Sequence, residues 1–299
     1  MQIHLNRQQA NLILLLTACA WGCAFVPQNL AAPFIGPLSF TAAKFLLAAL
    51  VISPLVWLEC RNITLPRPTD WLKIMAMGGL LAAGSALQQK GVASTSVTNA
   101  GFLSGLYVPL VPLCAWLLYR RRAHWVVWPA AAGCVIGTWM LTGGSAVSFS
   151  RGDLWILASV IPFTLHVLWI GGLAERVGAP LLIAWGQFIV CGVLALFFAL
   201  LFERFDTRNI SHIAWPIAYM GLISVGVGFT GQVIAQRFAR PAEAAIILSS
   251  ESVFAALAGA VFIGERLNLI GYLGCGLIFL GIVLVQIVPA NQPPLIEQH

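Results

Sequence analysis

The chain has 299 residues, 60% of them apolar and only 9% charged, with a formal net charge of +6. Soluble domains average roughly 45–50% apolar and about 25% charged, so a soluble fold of this size would lack the side chains to cover itself. A bilayer-embedded chain has no such need, because lipid solvates its outer face. The basic balance then reads as arginines holding loops on one side of a membrane, and no nucleic-acid partner is expected.

A spanning helix needs about 20 mostly apolar residues. Breaks at charged, Pro and Gly clusters predict ten such runs: 11–32, 38–58, 70–89, 96–119, 124–143, 152–174, 180–203, 213–236, 241–263 and 268–288. The predicted fold class is all-α integral membrane. Residues 1–10 form a cytoplasmic N-terminus, 11–143 a first five-helix unit, 152–288 a second, and 289–299 a polar, proline-rich, flexible cytoplasmic tail. Connections such as PFIGP at 33–37 and ERVGAP at 175–180 are too short for a soluble domain. Leu16-Thr17-Ala18-Cys19 looks like a lipoprotein cleavage box, but cleavage would remove the first run and is not expected. The sequons at Asn62-Ile63-Thr64 and Asn209-Ile210-Ser211 are weak matches. The seven cysteines show no metal-ligand spacing and lie mostly in apolar runs, where a thiol behaves as a small hydrophobe. Neither a disulfide framework nor a metal or other cofactor is expected.

Taken in chain order, the polar residues inside these runs are few. Span 1 holds Trp21, Gln28 and Asn29, span 2 Lys44, and span 3 ends in Gln88-Gln89-Lys90. Span 4 carries Asn99, Ser104 and Tyr107, followed by Pro109 and Pro112. Span 6 has Pro162, His166 and Trp169, span 7 Gln187, span 8 Gln232 and Gln236, and span 9 the patch Ser249-Ser250-Glu251-Ser252. An ionisable group at the centre of a span costs roughly 2.5–3.5 kcal/mol on insertion scales, so it must face protein or water. Glu251 reads either as a proton-coupling or amine-binding carboxylate or as a structural one that fixes helix packing. Lys44 reads as a snorkelling or architectural cation, with Gln187 opposite it in the second half, or as a coupling residue. His166 is either an imidazole titrating near neutral pH or one bonded to a backbone carbonyl. Trp21, Tyr107, Trp169 and Trp185 lie deeper than an interfacial belt requires, whereas Trp57, Trp71, Trp125, Trp155 and Trp215 sit near span ends. Pro109, Pro112 and Pro162 interrupt helices at membrane depth and are hinge candidates.

With the N-terminus inside, the cytoplasmic side holds Arg7, Arg61, Arg67, Lys73, Arg120, Arg121, Arg122, Arg176, Arg237 and Arg240. The outer side holds Lys90, Arg151, Arg204, Arg208 and Arg266. This bias predicts both termini on the cytoplasmic side of the plasma (inner) membrane. The halves also match weakly: Leu103-Ser104 with Leu248-Ser249, Val108 with Val253, and Tyr119-Arg120-Arg121 with Gly264-Glu265-Arg266. A unit that crosses an odd number of times inverts its second copy. Inverted repeats are the architecture of many secondary transporters, with the substrate near the midplane.

Ser249-Ser250-Glu251-Ser252-Val253-Phe254-Ala255-Ala256-Leu257, Gly264-Glu265-Arg266-Leu267 and the glycines from Gly271 to Gly281 resemble the C-terminal signature of EamA-type transporters of the drug/metabolite transporter superfamily. Leu87-Gln88-Gln89-Lys90-Gly91, Thr98-Asn99-Ala100-Gly101-Phe102 and Leu106-Tyr107-Val108-Pro109 resemble the matching part of the first repeat. The resemblance implies ten helices in two inverted five-helix halves around a cavity lined largely by spans 1, 3, 4, 6, 8 and 9. It also implies a basic residue near Lys44 and an acid near Glu251 in many members, and members that export amino acids or other metabolites. This chain departs from the family at Tyr119-Arg120, where the first repeat often has Gly-Glu.

The expected function is export of small metabolites by alternating access, amino acids foremost, with aromatic or large apolar ones favoured by deep aromatics and few fixed charges. The candidate cavity residues are Trp21, Gln28, Gln88, Asn99, Ser104, Tyr107, His166, Trp169, Gln232, Ser250 and Glu251. Partners would be the small-molecule substrate and membrane lipids. Export of other metabolites or drugs is the alternative, followed by an intramembrane enzyme. No phosphate-binding Gly-x-x-x-x-Gly-Lys, zinc-protease or Gly-x-Ser-x-Gly signature is present, so no enzymatic activity is expected.

Overall fold

The computed structural model describes residues 5–61, 63, 66–120, 123–142, 150–204 and 210–287, and these contain helices and no strand. Helices α1 (Arg7–Ala31), α2 (Pro37–Cys60) and α3 (Pro68–Val92) come first, then α4 (Val97–Ser104), α5 (Tyr107–Tyr119) and α6 (Val127–Leu141). The second half opens with α7 (Arg151–Val177) and α8 (Pro180–Phe202). There follow α9 (Ile210–Tyr219), the π-helical segment π1 (Met220–Phe229) and α10 (Thr230–Ala235) as one run. Another run comprises α11 (Pro241–Leu248), α12 (Glu251–Ala258) and π2 (Gly259–Ile263), and α13 (Leu269–Ile287) is last.

Among the described residues, eight helical runs are long and apolar enough to cross a membrane, and α6 is apolar but shorter. Helix α3 has the length, but Asp70, Lys73, Gln88, Gln89 and Lys90 make it less apolar. Leu200, Phe202, Val261 and Leu269 are each at least 65% exposed, a surface suited to lipid rather than water. The sequon residues Asn62, Thr64 and Asn209, the arginines Arg121, Arg122 and Arg208, and the tail from 289 lie outside the described residues.

The helix starts follow from local chemistry. Proline occupies the first turn of α2, α3, α8 and α11, where its missing N–H is no loss. Helices α1 and α7 open with capping boxes, Asn6 with Gln9 and Ser150 with Asp153. Other starts are closed by carboxylates from distant helices. Glu203, just past α8, accepts the N–H groups of Leu38 and Ser39 in α2 at 2.8 Å each. Glu59, near the end of α2, accepts those of Leu181 and Leu182 in α8 at 3.3 and 2.8 Å. Glu265 accepts those of Val97 and Thr98 in α4 at 3.0 and 3.1 Å. Each acid satisfies donors that the helix cannot and faces the positive end of its dipole.

The packing is paired. Helix α2 lies along α8 and α6 along α13. Helix α3 packs on α7, as α1 packs on α9, π1 and α10; α1 also meets α11 and α12, as α7 meets α4 and α5.

Two of the runs are broken. Interruptions are expected at Pro109, Pro112 and Pro162, but only the first lies beside a break. The α4–α5 break falls at Gly105–Leu106, four residues ahead of Pro109, whose ring opposes the Gly105 carbonyl. The N–H of Val108 takes that carbonyl instead, at 3.1 Å. Pro112 and Pro162 sit inside α5 and α7, which continue past them. The α11–α12 break needs no proline. The hydroxyls of Ser249 and Ser250 donate to the carbonyls of Ile246 and Ile247 at 2.6 and 2.8 Å. The N–H groups of Ser252 and Val253 fall back on carbonyls three residues earlier, at 3.1 and 3.0 Å, the tighter 3₁₀ pattern.

Candidate functional site

Both breaks lead into one cavity of about 60 Å³. Its walls come from α1 (Trp21, Phe25, Gln28), α3 (Ser85, Gln88), α4 and α5 (Ser104, Tyr107), α7 (Phe163, His166), π1 and α10 (Ser224, Phe229, Gln232) and α12 (Glu251). To the spans that the resemblance implies, Lys44 of α2 is added. The residues that open the second parts of the broken runs, Tyr107 and Glu251, both face this space.

Close helix approach holds Glu251 in place. A Cβ at Gly22 of α1 would lie 2.4 Å from the Glu251 carbonyl oxygen, and one at Gly101 of α4 would lie 2.8 Å from the Ala255 Cβ. The Ser252 hydroxyl crosses to the Gly101 carbonyl at 3.0 Å. Small residues thus let α1 and α4 close on α12 around the carboxyl group.

The polar side chains divide into paired and unpaired. Gln88 donates to the Ser104 hydroxyl at 3.0 Å, and the Trp21 indole donates to the Ser224 carbonyl at 3.0 Å. His166 Nε2 lies 2.8 Å from Gln187 Oε1; with the amide oxygen accepting, Nε2 carries the ring proton. By contrast, the Tyr107 hydroxyl, Gln28 Oε1 and both amide atoms of Gln232 are buried with no partner among the described residues. Lys44 and Glu251 are 3% and 5% exposed. The ion pairs among the described residues are Arg7–Glu243 and Arg176–Asp70, so Lys44 and Glu251 line one cavity without pairing to each other. Lys44 Nζ lies 5.6 and 5.7 Å from the centroids of Phe40 and Phe45, with the Cys191 thiol also within electrostatic range.

The structure places three of the candidate residues elsewhere. Asn99 donates to Asp153 at 2.8 Å and to Thr95 at 2.9 Å, tying the start of α4 to the start of α7. Trp169 packs among Phe45, Phe188 and their neighbours behind the wall. The Ser250 hydroxyl is occupied by its own helix turn. Gln187 reaches the site only through His166. Conversely, Phe229 is a hub the sequence does not single out: its ring centroid lies 4.5 Å from that of Trp21, 5.8 Å from Phe45 and 6.0 Å from His166. Its position depends on π1, where the wider turn shifts side chains off the α-helical face. The glycines of this segment, Gly221, Gly226 and Gly228, are the one sequence signal that points there; a Cβ at Gly228 would lie 2.7 Å from the Trp21 indole nitrogen.

The model of the EamA-like transporter family matches residues 8–143 and again 150–287. The chain belongs to the EamA-like transporter family. As an EamA-like protein it is similar to a protein of Archaeoglobus fulgidus named an uncharacterized transporter, 26% identical over 94% of this chain and 87% of that one. It is similar also to the uncharacterized transporter YwfM of Bacillus subtilis, 26% identical over 94% of this chain and 95% of that one. A solved structure titled only as the crystal structure of a protein shares the fold, with a TM-score of 0.77 over 94% of this chain and 97% of that chain at 18% identity. The protein is therefore a multi-pass membrane transporter.

Proposed function

We propose that this transporter exports small metabolites by alternating access, amino acids foremost, with aromatic or large apolar ones favoured. The observation that carries the reading is a buried cavity, lined by aromatic rings and unpartnered polar groups, where two broken helices meet. Discontinuous helices around a central site are a recurring transporter device. At about 60 Å³ the cavity holds several waters, well short of the roughly 300–1,000 Å³ of a drug-sized site. An amino acid with a large side chain would enter only as the halves part.

The two halves are read as inverted repeats of five spans each. Matching features recur at one constant separation: Asn6 and Ser150, Gln9 and Asp153, Glu59 and Glu203, Tyr107 and Glu251. The paired packing supports the same symmetry. In this reading both termini lie on the cytoplasmic side of the inner membrane, and the energy comes from the substrate gradient or a coupled ion.

The test is uptake into liposomes holding the purified protein, with a panel of labelled amino acids, with and without an imposed pH gradient. Saturable uptake of a subset is expected, and the gradient separates facilitated diffusion from proton exchange. Folded protein that moves none of the panel would refute the amino-acid reading.

A further inference from the structure

Among the described residues, the cavity holds one ammonium-bearing and one carboxyl-bearing side chain, on separate walls. Lys44 projects from α2, which packs on α8, α3 and π1; Glu251 opens α12, which packs on α1 and α4. They are not paired with each other, and no other charged side chain among the described residues lines the space. Burying either charge alone is costly. A monovalent cation would answer Glu251 and leave Lys44 uncompensated. A monovalent anion would do the reverse, and a neutral solute would displace water from both. A solute carrying both charges close together, with no net charge, answers both.

We propose that Lys44 and Glu251 are the two poles of a zwitterion-binding site, Lys44 receiving the carboxylate and Glu251 the ammonium of an α-amino acid. The unpartnered Tyr107 hydroxyl and the Gln28 and Gln232 amides supply the remaining hydrogen bonds to those groups. Trp21, Phe163 and Phe229 form the apolar wall for the side chain. Lys44 and Glu251 bind the substrate in this assignment; His166, already bonded to Gln187, does not carry a pole. The inference rests on the transport reading above and assigns its chemistry to named residues.

The test uses four compounds of nearly equal size on each of three scaffolds, alanine, leucine and phenylalanine: the free amino acid, its amide (a cation), its N-acetyl derivative (an anion) and the N-acetyl amide (neutral). Binding to purified protein is read as ligand-induced thermal shift, and flux as counterflow in liposomes. The wild type is expected to prefer the free amino acid on at least one scaffold by tenfold or more over each blocked form. Lys44→Met should remove the preference over the amide while keeping that over the N-acetyl form; Glu251→Gln should do the opposite. A structural role would weaken all ligands alike and leave the ratios unchanged, which overturns the assignment. If a variant does not fold, the wild-type series decides: no preference for the free amino acid on any scaffold overturns the proposal. Flux of neutral or singly charged solutes with rejection of every zwitterion overturns it and leaves transport standing. Charge-selective binding without flux supports the site and refutes the transport reading.

Discussion

The two broken runs occupy corresponding places and are made from different chemistry. In α4–α5 the break comes from Gly105 and the ring of Pro109, and the residue it presents is Tyr107. In α11–α12 it comes from two serine hydroxyls bonding back to their own turn, and the residue it presents is Glu251. The distant ends differ as well. The start of α4 is closed by Glu265 from the far end of the other run. The start of α11 instead carries Glu243 in its own first turn, paired with Arg7 at 3.4 Å. Where α12 and π2 end on Gly264 in the left-handed region, at φ +76°, α5 ends on Arg120 at φ +53°. The two breaks match in the backbone and differ in their side chains, so they present unlike residues to one cavity.

The largest way to break this comparison is at the α1–α12 contact. Gly22→Val would drive a side chain into the Glu251 backbone, and loss of folded protein in size-exclusion chromatography is expected; Gly79→Ala, with open space around it, is the matched control. Next is the long-range cap. Glu265→Gln should lower stability by about 1–2 kcal/mol, seen as a lower Tm, with a smaller effect for Glu243→Gln because Arg7 is 41% exposed and such pairs are worth little. The left-handed ends sharpen the comparison from the other side: Arg120→Gly should stabilise by about 1 kcal/mol by removing a Cβ from that region, measured as a rise in Tm. The smallest expected effect is on the breaks' own residues. Tyr107→Phe removes an unpartnered buried hydroxyl and should leave Tm equal or slightly higher, while raising the KM for transport; an unchanged KM would remove Tyr107 from the site.

The sequence match of spans 4 and 9 is one residue out of register. It sets Val108 against Val253 and so Tyr107 against Ser252, whereas the breaks set Tyr107 against Glu251. Apolar helices tolerate such a slip because neighbouring positions are nearly interchangeable to lipid, and only the backbone break marks the phase. The departure at Tyr119-Arg120 was legible in the sequence, and its consequence in the structure is a left-handed arginine where the other half has glycine.

What the sequence determined by itself was the membrane class, the helical runs and the identity of the polar residues that need a partner or water. These follow from composition and from apolar run length. The tertiary structure alone decided which of those residues share a cavity. It brought Lys44 to the same space as Glu251 without pairing them, put Asn99 and Trp169 elsewhere, and made Phe229 a hub through a π-helical turn. Long-range caps such as Glu203 on α2 were hidden for the same reason: a carboxylate at one helix end finds its partner by proximity in space, which no spacing along the chain encodes.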